Sequence, residues 1–279
     1  MNRFLEGQSC SKCEGTRYKT MVDGPLARAV RCQCLDSCGE CYDTGMLFKT
    51  IEDQTVAAPC DCSHLDKRIR LFNDATIPAR FVNCWIEDLD DRDPTQKEVK
   101  YALLNERDTY EPGGMGMLLW GRPGVGKTHL LCGLLSYLTL ERGISCRYVE
   151  FMQLLYDLKK GWSEGRWESA VVQPLLEAEV LVVDELGKGK NSEWELSILD
   201  ELISTRYNAR KTLHCATNYN AQPATRDRNT VAAGLDLSQR TPQTLGDRLD
   251  DRIYSRLTEM CRFYRVNGED WRAKPKRQF

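Results

Sequence analysis

Eight residues, GRPGVGKT at 121 to 128, constrain this chain more than any other stretch. They lie directly behind the apolar run Met117–Trp120. Directly after them comes THLLCGLLSYLTL, 128 to 140, whose apolar residues recur at helical spacing until Gly143. The spacing G-x-x-x-x-G-K-[ST] between a strand and a helix is that of a phosphate-cradling loop. Glycines let backbone N–H groups approach phosphate oxygens with no Cβ in the way, and the helix N-terminus adds partial positive charge. The contact set runs through Gly121, Arg122, Pro123, Gly124, Val125, Gly126, Lys127, Thr128 and His129. In such a loop Lys127 bridges the β- and γ-phosphates and Thr128 holds Mg²⁺.

Two further strands supply partners. Val180-Leu181-Val182-Val183 is an apolar run that ends in Asp184 and Glu185, as a buried parallel strand does. Asp184 completes the Mg²⁺ shell, and Glu185 is placed to orient or polarise the attacking water. Leu213–Thr217 ends at Asn218, where ligands bind in such sheets. Asn218 is read as a sensor of the γ-phosphate, the alternative being a plain turn asparagine. In GDRLDDRIYSRLTEM, 246 to 260, Arg248, Arg252 and Arg256 recur every four residues on one helix face. One of them is a candidate finger into a neighbouring subunit's nucleotide. The alternative is a solvated face paired with Asp247, Asp250 and Asp251.

Between these motifs strands and helices alternate. Asp93-Pro94 starts a helix to about Arg107 that packs by Val99, Ala102 and Leu103. EPGG at 111 to 114 turns into the loop's strand, and SCRYVEF at 145 to 151 is a strand leading into a helix to Lys160. The class is therefore α/β, with a mainly parallel sheet covered on both faces. HLDKRIRLF, 64 to 72, reads as a short charged linker helix. LKKGWSEGRW, 158 to 167, mixes Lys159, Lys160 and Arg166 with Trp162 and Trp167 in a loop. That suits single-stranded DNA or a helix end whose tryptophans pack on the domain. Arg226, Arg228 and Arg240 sit in a polar segment and read as surface residues.

Eight of the 13 cysteines fall within the first 62 residues: Cys10, Cys13, Cys32, Cys34, then Cys38, Cys41, Cys60, Cys62. Each of the second four lies 28 residues after its counterpart, so C-x2-C-x18-C-x-C occurs twice, and Ser9/Ser37 and Thr16/Thr44 keep the same offset. Four thiolates per unit suit tetrahedral zinc, two sites in all, with an iron–sulfur cluster as the alternative. Short hairpins between the pairs cannot bury a core alone, so bound metal contributes the folding energy. His64 reads as an exposed residue near a helix start rather than a ligand. A net charge of −2 and a pI near 6.0 rule out a generally basic nucleic-acid coat. No apolar run nears the ~18 residues of a membrane span, and the start lacks a signal-peptide core, so a cytoplasmic protein is expected.

The order of phosphate loop, Asp-Glu strand, Asn sensor and arginine-bearing helix resembles an AAA+ P-loop NTPase. The details are similar to the DnaC/DnaI-type replicative helicase loaders and the IstB-type transposition ATPases. The likeness runs from about Ala75 to the C-terminus and includes ATIPARF, 75 to 81, similar to the entry segment beside the adenine, and the closing DDRIYSRL…YRVNGEDWR. The resemblance implies an ATPase that loads a hexameric replicative helicase, contacts single-stranded DNA and self-associates through its ATP sites. The alternatives are an ATPase that coats DNA and recruits a transposase, or a zinc-dependent adaptor using ATP as a switch. It also implies ATP as the nucleotide, Arg252 as the finger acting in trans and Arg272 as a second sensor. The domains expected are a zinc-binding 1–66, a linker and entry segment 67–112 and an AAA+ core 113–279 without a full helical lid.

Overall fold

The computed structural model describes residues 10–34, 38–42, 44–51, 54–165, 168–222 and 244–273. Arg166, Trp167, Arg226, Arg228, Arg240 and Ser37 lie outside the described residues.

Each cysteine unit folds as a hairpin between its two Cys pairs. Strands β1 (Tyr18–Asp23) and β2 (Leu26–Arg31) pair antiparallel, as do β3 (Met46–Ile51) and β4 (Gln54–Pro59). Helix α1 (Asp61–Asp74) follows, then short 3₁₀ turns at Ala79–Phe81 and Ile86–Asp88, and α2 (Pro94–Thr109). The Asp93 side chain caps α2 by accepting from the Thr95 N–H at 2.8 Å, with Pro94 in the first turn.

The ATP-loop unit continues through β5 (Gly116–Trp120), α3 (Lys127–Leu140), β6 (Cys146–Glu150), α4 (Phe151–Ser163), α5 (Glu168–Glu177), β7 (Val180–Asp184), α6 (Glu193–Asn208) and β8 (Thr212–Thr217). It closes with α7 (Leu245–Arg248), α8 (Asp251–Met260) and β9 (Cys261–Arg265). The sheet order is β6-β7-β8-β5-β9, parallel throughout.

Alternate strand residues face opposite cores, the period-2 rule of a sheet covered on both sides. Met117, Leu119, Val180, Val182 and Ala216 join α1, α2 and α3 on one face. Leu118, Leu181, Val183, Leu213 and Cys215 join α4, α5, α6 and α8 on the other. Helix α3, pressed between sheet and helices, is apolar nearly all round. Arg206 is fully buried and donates to the carbonyls of Leu175, Ala178, Glu179 and Thr212, tying the starts of β7 and β8 to α5 and α6.

Three expectations need correction, and one strand has no counterpart among them. Residues 64–72 are not a linker: α1 buries Leu65, Ile69 and Phe72 and packs on α3 and β2. Residues 246–260 are not one helix. Leu249 is extended, at φ −113° and ψ 155°, and Asp250 caps a new helix by accepting from the Ile253 N–H at 2.7 Å. Arg248 therefore does not share a face with Arg252 and Arg256. The strand β9 was not anticipated, because CRFYR follows a helix with no turn residue between them. Finally, of the two readings of residues 158–167, the loop gives way for Trp162 to the helix end packed on the domain, since α4 runs to Ser163. The Trp162 ring sits 5.2 Å from that of Trp194, which Lys159 covers at 4.7 Å.

Candidate functional site

A cavity of about 400 Å³ opens above the C-terminal ends of β5, β7 and β8. Its wall brings together Gly124, Gly126, Lys127, Thr128, His129, Asp184, Glu185, Asn218 and Arg272. The loop needs its glycines. Gly126, at φ +101°, would place a Cβ 2.6 Å from Leu89, and Gly124, at φ +84°, would place one 1.8 Å from an Asp270 carboxylate oxygen. Val125 turns its side chain into the core, while its carbonyl accepts from Gln96 at 3.0 Å. Trp271 N–H donates to Gly124 O at 3.0 Å, so the segment after β9 straps the loop from outside.

The Lys127 ammonium, 7% exposed, donates to Gly121 O, Arg122 O and Asn218 Oδ1 at 2.8 to 2.9 Å. Burial pushes its pKa down to about 8, against the pull of Asp184. The Asp184 carboxylate accepts from Thr128 Oγ1 at 2.7 Å, Tyr148 OH at 2.9 Å and the Glu185 N–H at 2.8 Å. Thr128 and Asp184 thus present adjacent hard oxygen atoms to the cavity, a donor set that suits Mg²⁺.

His129 lines the cavity with both ring nitrogens engaged. Nε2 lies 2.9 Å from Trp85 O and Nδ1 3.1 Å from Cys84 Sγ, which fastens the 79–89 segment to α3. Burial holds its pKa below the usual range. Arg80 and Phe81 of the ATIPARF stretch, with Cys84, Pro123, Thr217 and Trp271, complete the wall. Arg122 and Pro123 stay at the exposed rim.

The arginines separate. Arg248 turns inward to the carbonyls of Gly187 and Gly189 and stacks 5.3 Å over Tyr219. Arg256 pairs with Asp200 at 2.7 Å, while the Arg252 side chain is 69% exposed with a 3.4 Å contact to the same carboxylate. Among the described residues, none of the three lines the cavity of its own chain.

Tyr148, Glu150 and Lys188 were missed. Register is the signal that finds two of them: Tyr148 pairs with Val182 and Glu150 with Asp184, so β6 must end beside the acids of β7.

In each cysteine unit the four sulfurs lie within 4.8 Å of one another. The repeat extends to its hydrogen bonds. Thr16 and Thr44 hydroxyls donate to Cys13 O and Cys41 O, both at 2.7 Å, and Cys32 and Cys60 N–H donate to Arg17 O and Gly45 O, both at 2.8 Å. A hydrogen bond from the Lys12 N–H lowers the Cys10 thiol to about 7. Four soft donors at one point fit zinc. His64 is exposed and stands outside both clusters.

The units differ in setting. The first packs against the ATP-loop unit: Tyr18 OH donates to Glu141 at 2.7 Å, Arg31 pairs with Asp66, and Ala27 N–H donates to Ile77 O at 2.8 Å. The second leaves Tyr42, Met46, Phe48 and Val56 exposed, and none of its described side chains enters either core. No described helix is long and apolar enough to cross a membrane.

Comparison with known proteins agrees with this geometry. The family description "IstB-like ATP binding protein" matches residues 110–222. The replicative helicase loader DnaC of Escherichia coli K12 is 24% identical over 161 residues, 57% of this chain and 65% of its own. An insertion sequence ATP-binding protein of Sinorhizobium fredii is 28% identical over 120 residues, 43% of this chain and 40% of its own. The chain thus spans less than two thirds of either relative. A crystal structure of a DnaC helicase loader superposes with a TM-score of 0.56 at 25% identity, covering 67% of this chain and 99% of that one.

Proposed function

We propose that this chain carries an AAA+ ATPase of the DnaC/DnaI/IstB type and acts as an ATP-dependent loader of a hexameric replicative DNA helicase. The observation that carries the reading is the division of labour between the cysteine units. One is built into the wall of the ATPase, while the other holds four exposed apolar side chains out from it, a surface suited to a protein partner.

In this reading Lys127 and the loop amides hold the triphosphate, and Thr128 and Asp184 hold Mg²⁺, which when bound neutralises phosphate charge. Glu185 takes a proton from the water that attacks the γ-phosphorus, and ADP leaves. Asn218, already bonded to Lys127, reports on the γ-phosphate. Arg252 reaches a neighbouring copy's nucleotide, and Arg272 acts from the strap as second sensor. Cys10, Cys13, Cys32 and Cys34, and separately Cys38, Cys41, Cys60 and Cys62, would each hold a zinc ion that would fasten its hairpin, and single-stranded DNA is the nucleic-acid partner.

The test is capture from the native host on Glu185→Gln protein with ATP, which retains nucleotide without turnover. Recovery of the replicative helicase supports the loader. The Sinorhizobium fredii relative favours a second reading, an IstB-like ATPase that recruits a transposase, and recovery of a transposase without helicase would establish it in place of the first.

A further inference from the structure

Glu185 is held in a conformation that most residues avoid. Its φ of +53° lies in the left-handed region, which costs a non-glycine residue ~1 kcal/mol. Three contacts keep it there. Its N–H donates to Asp184 Oδ1 at 2.8 Å, the Lys188 N–H returns to its carbonyl at 3.0 Å, and the Lys188 ammonium pairs with its carboxylate. The turn they close is fastened from outside by Arg248 on Gly187 O and Gly189 O. From β6, Glu150 comes up beside the same carboxylate, in register with Asp184.

We propose that Lys188 is a latch on the hydrolytic base: in the isolated chain it neutralises the Glu185 carboxylate, holds it back from water, and so keeps basal turnover low. The proposal rests on the reading of Glu185 as the base. Lys188 is then a positioning residue, since it acts only through Glu185. Its side chain is 54% exposed, so the pair sits where an incoming surface can break it.

The groups around Glu185 argue the same way. They are Lys188 of its own turn, Glu150 from β6, Asp184 and Lys127 beneath, and Arg272 from the C-terminal strap. Burial pushes the Glu185 carboxyl up, but Lys188 and the hydrogen bond from Glu150 outweigh it, with Arg272 adding, and leave it below the ordinary range. Burial and the neighbouring Glu185 raise Glu150 above the ordinary carboxylate range. Removing the lysine frees the Glu185 carboxylate to turn toward the water.

The experiment is steady-state ATPase of the purified full chain across pH for wild type, Lys188→Met, Lys188→Arg, Glu185→Gln and the Lys188→Met/Glu185→Gln double variant. We expect Lys188→Met to raise kcat about two- to fivefold, the factor a half-exposed ion pair supplies, with KM unchanged. Lys188→Arg should restore the low basal rate, and both Glu185→Gln proteins should be inactive. An unchanged or lower kcat in Lys188→Met overturns the latch while leaving the base in place. Turnover in Glu185→Gln would instead overturn the base, and with it anything for the lysine to gate.

Discussion

The Lys127 ammonium donates to Asn218 Oδ1 at 2.8 Å, joining the phosphate loop to the tip of β8 across 91 residues of sequence. The third strand is thereby wired to the loop that holds the triphosphate, and a change at either residue is felt at the other.

The same lysine sets a pH limit. Burial lowers its pKa from 10.5 to about 8. A bound triphosphate favours the ammonium, so affinity is full below that value and falls as pH rises through it, by up to about tenfold per unit. Fluorescent-nucleotide titrations on either side of pH 8 measure this. A flat profile would show that Lys127 stays charged throughout.

Arg248 and Arg252 should part company. Arg248→Ala removes the clamp on Gly187 and Gly189 and should cost about 2 kcal/mol of stability, read from chemical unfolding. Arg252→Ala should leave unfolding and nucleotide affinity untouched and abolish only the concentration-dependent part of ATPase activity. Undiminished cooperative turnover in Arg252→Ala would reject it as the finger.

Tyr148→Phe deletes a hydroxyl that donates to the Asp184 carboxylate inside the core. We expect about 1 kcal/mol of destabilisation. The Mg²⁺ concentration for half-maximal turnover should also shift several-fold, because Asp184 loses a partner that orients it. An unmoved Mg²⁺ dependence would confine Tyr148 to packing.

Metal analysis should find two equivalents of zinc per chain, one for each four-cysteine cluster. Cys13→Ser should lower the melting temperature of the ATPase core, since its unit carries Tyr18 and Ala27 into that core. Cys41→Ser should remove one equivalent and leave the main transition in place. Equal effects on both would mean that the two units are coupled more tightly than their contacts suggest.

Much of this arrangement was legible because it rests on local rules. GRPGVGKT, Asp184-Glu185 and the 28-residue cysteine offset each fix chemistry within one short window, and the alternation around them fixes a parallel sheet. What escaped depends on contacts distant in sequence. Arg206 looks like a surface charge, yet four carbonyls converge on it. The arginines spaced four apart suggest one helix, but Leu249 is extended and Asp250 caps a new one. HLDKRIRLF looks like a linker because its charges dominate the reading, whereas Leu65, Ile69 and Phe72 line one buried face. Lys188 carries no motif at all, and its importance appears only once Glu185 is seen in its left-handed turn.

The two cysteine units share one pattern but sit under different constraints. The first has become masonry: its hairpin face is dictated by the helix and strands beneath it. The second meets the rest of the chain, among the described residues, chiefly where its last cysteines enter α1. Its outward residues are therefore free to drift without disturbing the nucleotide cavity. Exchange of side chains on that one hairpin would alter what it presents to solvent and leave the engine behind it unchanged.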